Sequence, residues 1–172
     1  THTQKSRFNY KWDFSTRLVN IGIWDEVVLH VHDRCSLKDV TVTAKPSPDY
    51  KHGTVRISAY LERMVQCSAA DGDLTALSLR VYLLDSGGRE VIRHSSASDM
   101  SADHIEEEIV IPQPQLWYPN GYGDQALYEL RIELSGNGNL YDVQRMKIGF
   151  RTMEYQRNIG SPPDALPYTF IV

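Results

Sequence analysis

Apolar and polar side chains alternate in short runs along almost the whole of this chain, and a two-residue period leaves it little to form except β-strand. Tyr128, Leu130, Ile132 and Leu134 share one parity, against Glu129, Arg131 and Glu133. Val55, Ile57, Ala59 and Leu61 stand against Arg56, Ser58, Tyr60 and Glu62, and Leu77, Leu79, Val81 and Leu83 repeat the pattern. Further strands are predicted at Val40, Val42 and Ala44 (with Thr41 and Thr43 outward), at Ile109 and Ile111, and at Val27, Leu29 and Val31, with Val28, His30 and His32 opposite. Turn chemistry separates the runs: Lys45-Pro-Ser-Pro48, Ala70-Asp-Gly-Asp73, Asp85-Ser-Gly-Gly88 leading into 89–93, and Ser135-Gly-Asn-Gly-Asn139. In the last run Tyr141 and Val143 share one parity while Met146, Ile148 and Phe150 share the other, which predicts a β-bulge between Val143 and Met146. No segment carries a helical period.

Strands this short, at this spacing, predict an all-β antiparallel sandwich. Counting from Leu37 gives about seven strands, the immunoglobulin-type number, without the tyrosine and cysteine landmarks of antibody domains. The domain is placed at residues 36–152. Residues 1–35 read as strands of a preceding β domain. Residues 153–172 read as a linker with Gly160-Ser-Pro-Pro163, then an apolar run at 168–172 that has nothing after it to pair with. That ending, and an N-terminus that begins mid-pattern, read as a piece of a longer chain.

At 41% hydrophobic and 23% charged residues the composition is that of an ordinary globular protein. A formal net charge of −4 gives no basic footprint for nucleic acid. No apolar run approaches a membrane span, and Thr1-His-Thr-Gln-Lys-Ser6 lacks the apolar core of a signal peptide. Cys35 and Cys67 lack metal-ligand spacing and read as two reduced, partly buried thiols. With no Asn-x-Ser/Thr sequon either, a reducing cytoplasm is the expected compartment, and no cofactor is expected.

Few residues point to chemistry. In Tyr10-Lys-Trp-Asp-Phe-Ser15 a carboxylate, Asp13, stands between the rings of Trp12 and Phe14. Rings desolvate a carboxylate, and sugar sites use that pairing: an aromatic face stacks on C–H groups while the carboxylate accepts from hydroxyls. A strand with core aromatics and a turn aspartate is the other reading, and spacing by itself favours it. His30 and His32 fall on one side of a predicted strand, one or two ligands short of a metal site. Glu106, Glu107 and Glu108 alternate faces and read as solvated, not as a catalytic pair. Arg151, in Ile148-Gly-Phe-Arg-Thr152, either bridges to a neighbouring domain or lies along the surface. No phosphate-cradling loop, zinc motif or Ser/His/Asp spacing stands out.

Gln115-Leu-Trp-Tyr-Pro-Asn-Gly-Tyr-Gly123, followed by the strand at 126–134, resembles a motif of glycoside hydrolase family two, in its β-mannosidase branch. So does Trp12-Asp13, with Phe14 in place of a second tryptophan and Ser15 in place of a glycine, followed by Arg17 and Gly22-Ile23-Trp24. Shorter matches lie at 148–152 and 168–172. The resemblance implies an immunoglobulin-like domain between a sugar-binding jelly roll, ending near residue 35, and a catalytic barrel, beginning near residue 168. It implies a parent that removes terminal β-linked mannose with retention. Asp13 and Trp12 would contact the sugar, Trp117 and Arg151 would serve the interdomain contact, and the catalytic glutamates would lie beyond Val172, leaving this stretch inactive alone. Another sugar within the same family is the alternative: exo-β-glucosaminidases share similar Trp-Asp segments, and β-galactosidases resemble this chain less. A free-standing carbohydrate-binding sandwich is the competing reading. The implied partners are a β-mannoside or related glycan and the flanking domains, with no nucleic acid, membrane or metal.

Overall fold

The computed structural model describes residues 10, 12, 14, 16–17, 22–32, 34–63, 77–98, 102–166 and 169–172. The chain divides into two compact units, Thr1–Val31 and His32–Val172. In the second, β1 (Cys35–Pro46), β2 (His52–Arg63) and β5 (His104–Pro112) form one sheet in the order β1-β2-β5. The other sheet is made by β3 (Leu77–Leu84), β4 (Glu90–Ser98), β6 (Tyr128–Gly136) and β7 (Asn139–Ile148), in the order β4-β3-β6-β7. Every pairing is antiparallel. Three strands on four, with the chain crossing between sheets after β2, β4 and β5, is the immunoglobulin-like sandwich expected from seven alternating runs.

Parity decides the core. Val55, Ile57, Ala59 and Leu61 of β2 face Leu77, Leu79, Val81 and Leu83 of β3 and Tyr128, Leu130, Ile132 and Leu134 of β6, all buried. Each Val, Leu or Ile among them contributes roughly 1.5–3 kcal/mol by leaving water. Cys35 is buried in the same core; Cys67 lies outside the described residues.

The turns follow their chemistry. Asn137 and Gly138 have φ of 49° and 80°, the doubly left-handed turn that joins β6 to β7 with two residues and matches the twist of the strands. Asp85 closes the β3–β4 hairpin: its backbone carbonyl accepts from Gly88 N–H at 2.9 Å, and its carboxylate accepts from the Gly87 and Arg89 N–H groups, each at 3.0 Å. In β1 the register slips between Lys38 and Thr41, and Asp39 takes a φ of 51° at that bulge.

Three expectations are corrected. Residues 22–32 form no strand, and Val27, Leu29 and Val31 are exposed; alternation marks two faces, but a strand exists only through a paired neighbour, and so His30 and His32 share no strand face. The apolar run near the end, expected to lack a partner after it, pairs with the chain before it: β9 (Thr169–Ile171) lies antiparallel to β8 (Glu154–Gln156), with Tyr155 edge-on to Phe170 at 5.0 Å. The bulge in β7 falls at Tyr141, not between Val143 and Met146, because the register runs unbroken from Asp142 to Ile148 and slips between Leu134 and Ser135 opposite. That slip turns Asp142 inward.

Candidate functional site

The long connection from β5 to β6 folds back onto the residues that follow β7. Phe150 is fully buried, and Leu116 bridges to it in parallel while Trp117 N–H donates to its carbonyl at 3.0 Å. Gly149 makes this approach possible: a Cβ there would lie 3.1 Å from the Cβ of Trp117. The ring of Tyr128 meets Phe150 edge-on at 5.4 Å, and its hydroxyl accepts from Gln115 N–H at 2.8 Å, pinning the start of the loop.

The tip is built as tightly. Trp117 bridges to Gln125, Tyr118 N–H donates to Asp124, and Tyr122 N–H donates to Pro119 across the Pro-Asn-Gly turn. Gly121 takes the positive φ, 86°, that this turn requires. Arg151 then lies over Trp117, its guanidinium carbon 4.5 Å from the ring centroid. The two residues that the resemblance implied for the interdomain contact thus touch each other. They line a groove of about 530 Å³ together with Val42 and Lys45 of β1.

In the first unit Trp12 and Phe14 are edge-on at 6.3 Å, and both are exposed, as are Ile23 and Trp24. Asp13 lies outside the described residues. Exposed rings flanking a carboxylate in the sequence have the chemical makings of a sugar contact.

The glutamates divide by face. Glu106 and Glu108 point outward, Glu108 to Arg56 at 2.7 Å. Glu107 does not belong to a solvated face: its side chain is 17% exposed, and it accepts from Ser96 Oγ and lies 3.0 Å from His94 Nε2. It closes the seam between β4 and β5, since the parity that buries Ile105 and Ile109 also turns Glu107 inward. Ser58 and Glu106, which the sequence marks only as outward-facing, and His104, which it does not single out, are brought together by β2 and β5: Ser58 Oγ is 2.9 Å from His104 Nε2. Ser58 and His104 lie 46 residues apart on strands that are not consecutive, so no local signal could pair them. Among the described residues no three His, Cys, Asp or Glu side chains are grouped to hold a metal.

Fold and corner together define an immunoglobulin-like β-sandwich with a rigid aromatic edge. The family model for glycosyl hydrolases family 2 matches residues 35–151, and the chain belongs to that family. A protein of Aspergillus oryzae named Beta-mannosidase B is 34% identical over 153 residues, which cover 88% of this chain and 17% of the relative. A protein of the same name from Thermothelomyces thermophilus is 26% identical over 161 residues, 93% of this chain and 17% of its own. Among solved structures, the Beta-D-Mannosidase of Dictyoglomus thermophilum shares the fold with a TM-score of 0.68 at 22% identity, over 91% of this chain and 18% of that one. The chain therefore spans about one sixth of the length of these relatives.

Proposed function

We propose that this chain is the sandwich region of a multidomain retaining exo-glycosidase that removes terminal β-linked mannose. The observation that carries the reading is the 34% identity, over 88% of this chain, to a protein named Beta-mannosidase B. A retaining mechanism needs two carboxyl groups about 5–5.5 Å apart, one as acid/base and one as nucleophile. Of the acidic cluster here, Glu107 is tied to His94 and Ser96 and Glu108 to Arg56, so the reading assigns the reacting pair to the remainder of the parent.

On this reading the sandwich braces the flanking domains. Residues 1–35 close a sugar-binding domain and the last residues open the barrel. Trp117 and Arg151 present a preformed, partly apolar corner to that barrel, and Asp13 and Trp12 contact the sugar. Asp13 would orient substrate by accepting from its hydroxyls.

The test is Asp13→Ala in the full-length protein, assayed on aryl β-mannoside, β-galactoside and β-glucosaminide. The mannoside should be turned over fastest by the unaltered enzyme, and the variant should lose most of that turnover with its thermal melt unchanged. Equal turnover in the variant would remove Asp13 from the site. Preference for another sugar would change the substrate.

A further inference from the structure

The outer face of the three-stranded sheet carries an arrangement that the glycosidase reading does not use. Ser58 lies on β2, the central strand, between Thr41 of β1 and Glu106 of β5. Its Oγ is 2.9 Å from Nε2 of His104, and Nδ1 of the same imidazole is 3.8 Å from Oε1 of Glu106. A carboxylate on the Nδ1 side favours the tautomer with its proton there, leaving the Nε2 lone pair to accept from the serine hydroxyl. Tyr60, opposite His104 in the register, packs against the ring at 5.0 Å and limits its rotation. Beside them opens a shallow groove of about 520 Å³, lined by Thr41, Thr43, Arg56 and Ser58.

We infer that Ser58 is a nucleophile toward activated acyl esters, with His104 as its general base and Glu106 orienting the imidazole. A serine hydroxyl within hydrogen-bond reach of an imidazole, with a carboxylate 3.8 Å from the other ring nitrogen, has the order of groups that activates a serine. In the acylating step Ser58 Oγ forms a bond to the acyl carbon, and its proton passes to His104 Nε2. The carbon–oxygen bond to the leaving group breaks, and His104 returns the proton to the departing oxygen. Water, deprotonated by the same imidazole, then hydrolyses the acyl-serine and restores the hydroxyl.

The surroundings set the substrate class. Ser58 lies in a strand paired on both sides, so no pair of free backbone N–H groups is aimed at a developing oxyanion. The nearest cation along its strand face, Arg56, is held by Glu108 at 2.7 Å. Only esters with a good leaving group, such as aryl esters, should acylate the site. Deacylation should be slow enough for the acyl-serine to accumulate.

The experiment treats the 172-residue chain with p-nitrophenyl acetate, followed by nitrophenolate release and peptide mass mapping. The expected result is a burst approaching one equivalent per chain, with one acetyl group on the peptide containing Ser58. Ser58→Ala should abolish the burst and Ser58→Cys should retain it. His104→Gln should slow it on the order of 10²-fold, and Glu106→Gln by less. Acetyl groups on lysine or tyrosine alone, a burst that survives Ser58→Ala, or a His104→Gln rate equal to the parent's would each overturn the assignment.

Discussion

The carboxylate of Asp142 accepts the backbone N–H of Leu37 at 2.8 Å, joining β7 of one sheet to β1 of the other. Both residues are buried, and the amide of Gln144 leans on the same carboxylate at 3.2–3.3 Å. The bond exists because the Tyr141 bulge rotates Asp142 to the inner face, where its charge has to be met by donors.

Asp142→Leu should therefore destabilise the domain despite adding apolar surface. It leaves the Leu37 N–H buried without an acceptor, a loss of about 1–3 kcal/mol. Chemical denaturation of the two proteins measures it, and an unchanged midpoint would mean that water reaches Leu37 in place of the carboxylate.

Gly53 should not tolerate a side chain. A Cβ there would fall 2.6 Å from Cε1 of Phe150 and 2.8 Å from Cγ of Pro114, and Phe150 is fully enclosed. Gly53→Ala is expected to cost about 1–3 kcal/mol by overpacking. The equilibrium unfolding curve should show this as a lower midpoint with the slope retained.

Asp85 carries a pH dependence of definite sign. Its carboxyl is held below the usual carboxylate value first by the Arg89 backbone N–H, against a smaller upward push from burial, and then by the Gly87 N–H and the Arg89 guanidinium. A depressed carboxyl contributes stability that is present above the unfolded value, about 3.9, and is lost as pH falls through the folded one. Asp85→Asn should thus melt lower than the parent at pH 7, with the gap narrowing as the pH is taken below about 4. A gap that stays constant between pH 7 and pH 3 would contradict this.

The Arg151–Trp117 stack separates two roles. A partly exposed cation over a ring is worth about 0.5–1 kcal/mol. Arg151→Ala should lower the stability of the 172-residue chain by no more than that. If the corner carries the barrel, the same change in the full-length protein should cost more, and calorimetry on both proteins compares the losses directly.

Much of this fold is a local property of the chain. The alternation in β2, β3 and β6 marks their buried faces, and Asp85-Ser-Gly-Gly88 and Asn137-Gly138 mark their turns, because two-residue periodicity and positive φ act within a few residues. The turn at Pro119-Asn-Gly121 is local in the same way, set by a proline and by a glycine at positive φ. Tertiary structure decided the rest. Val27, Leu29 and Val31 alternate just as well and form no strand, since a ladder needs a partner that periodicity cannot supply. Pairing across distant sequence brought Ser58 to His104 and Trp117 under Arg151, and set β8 against β9. A one-residue slip at Tyr141 sent Asp142 into the core, a choice made by the register between two strands and by neither strand alone.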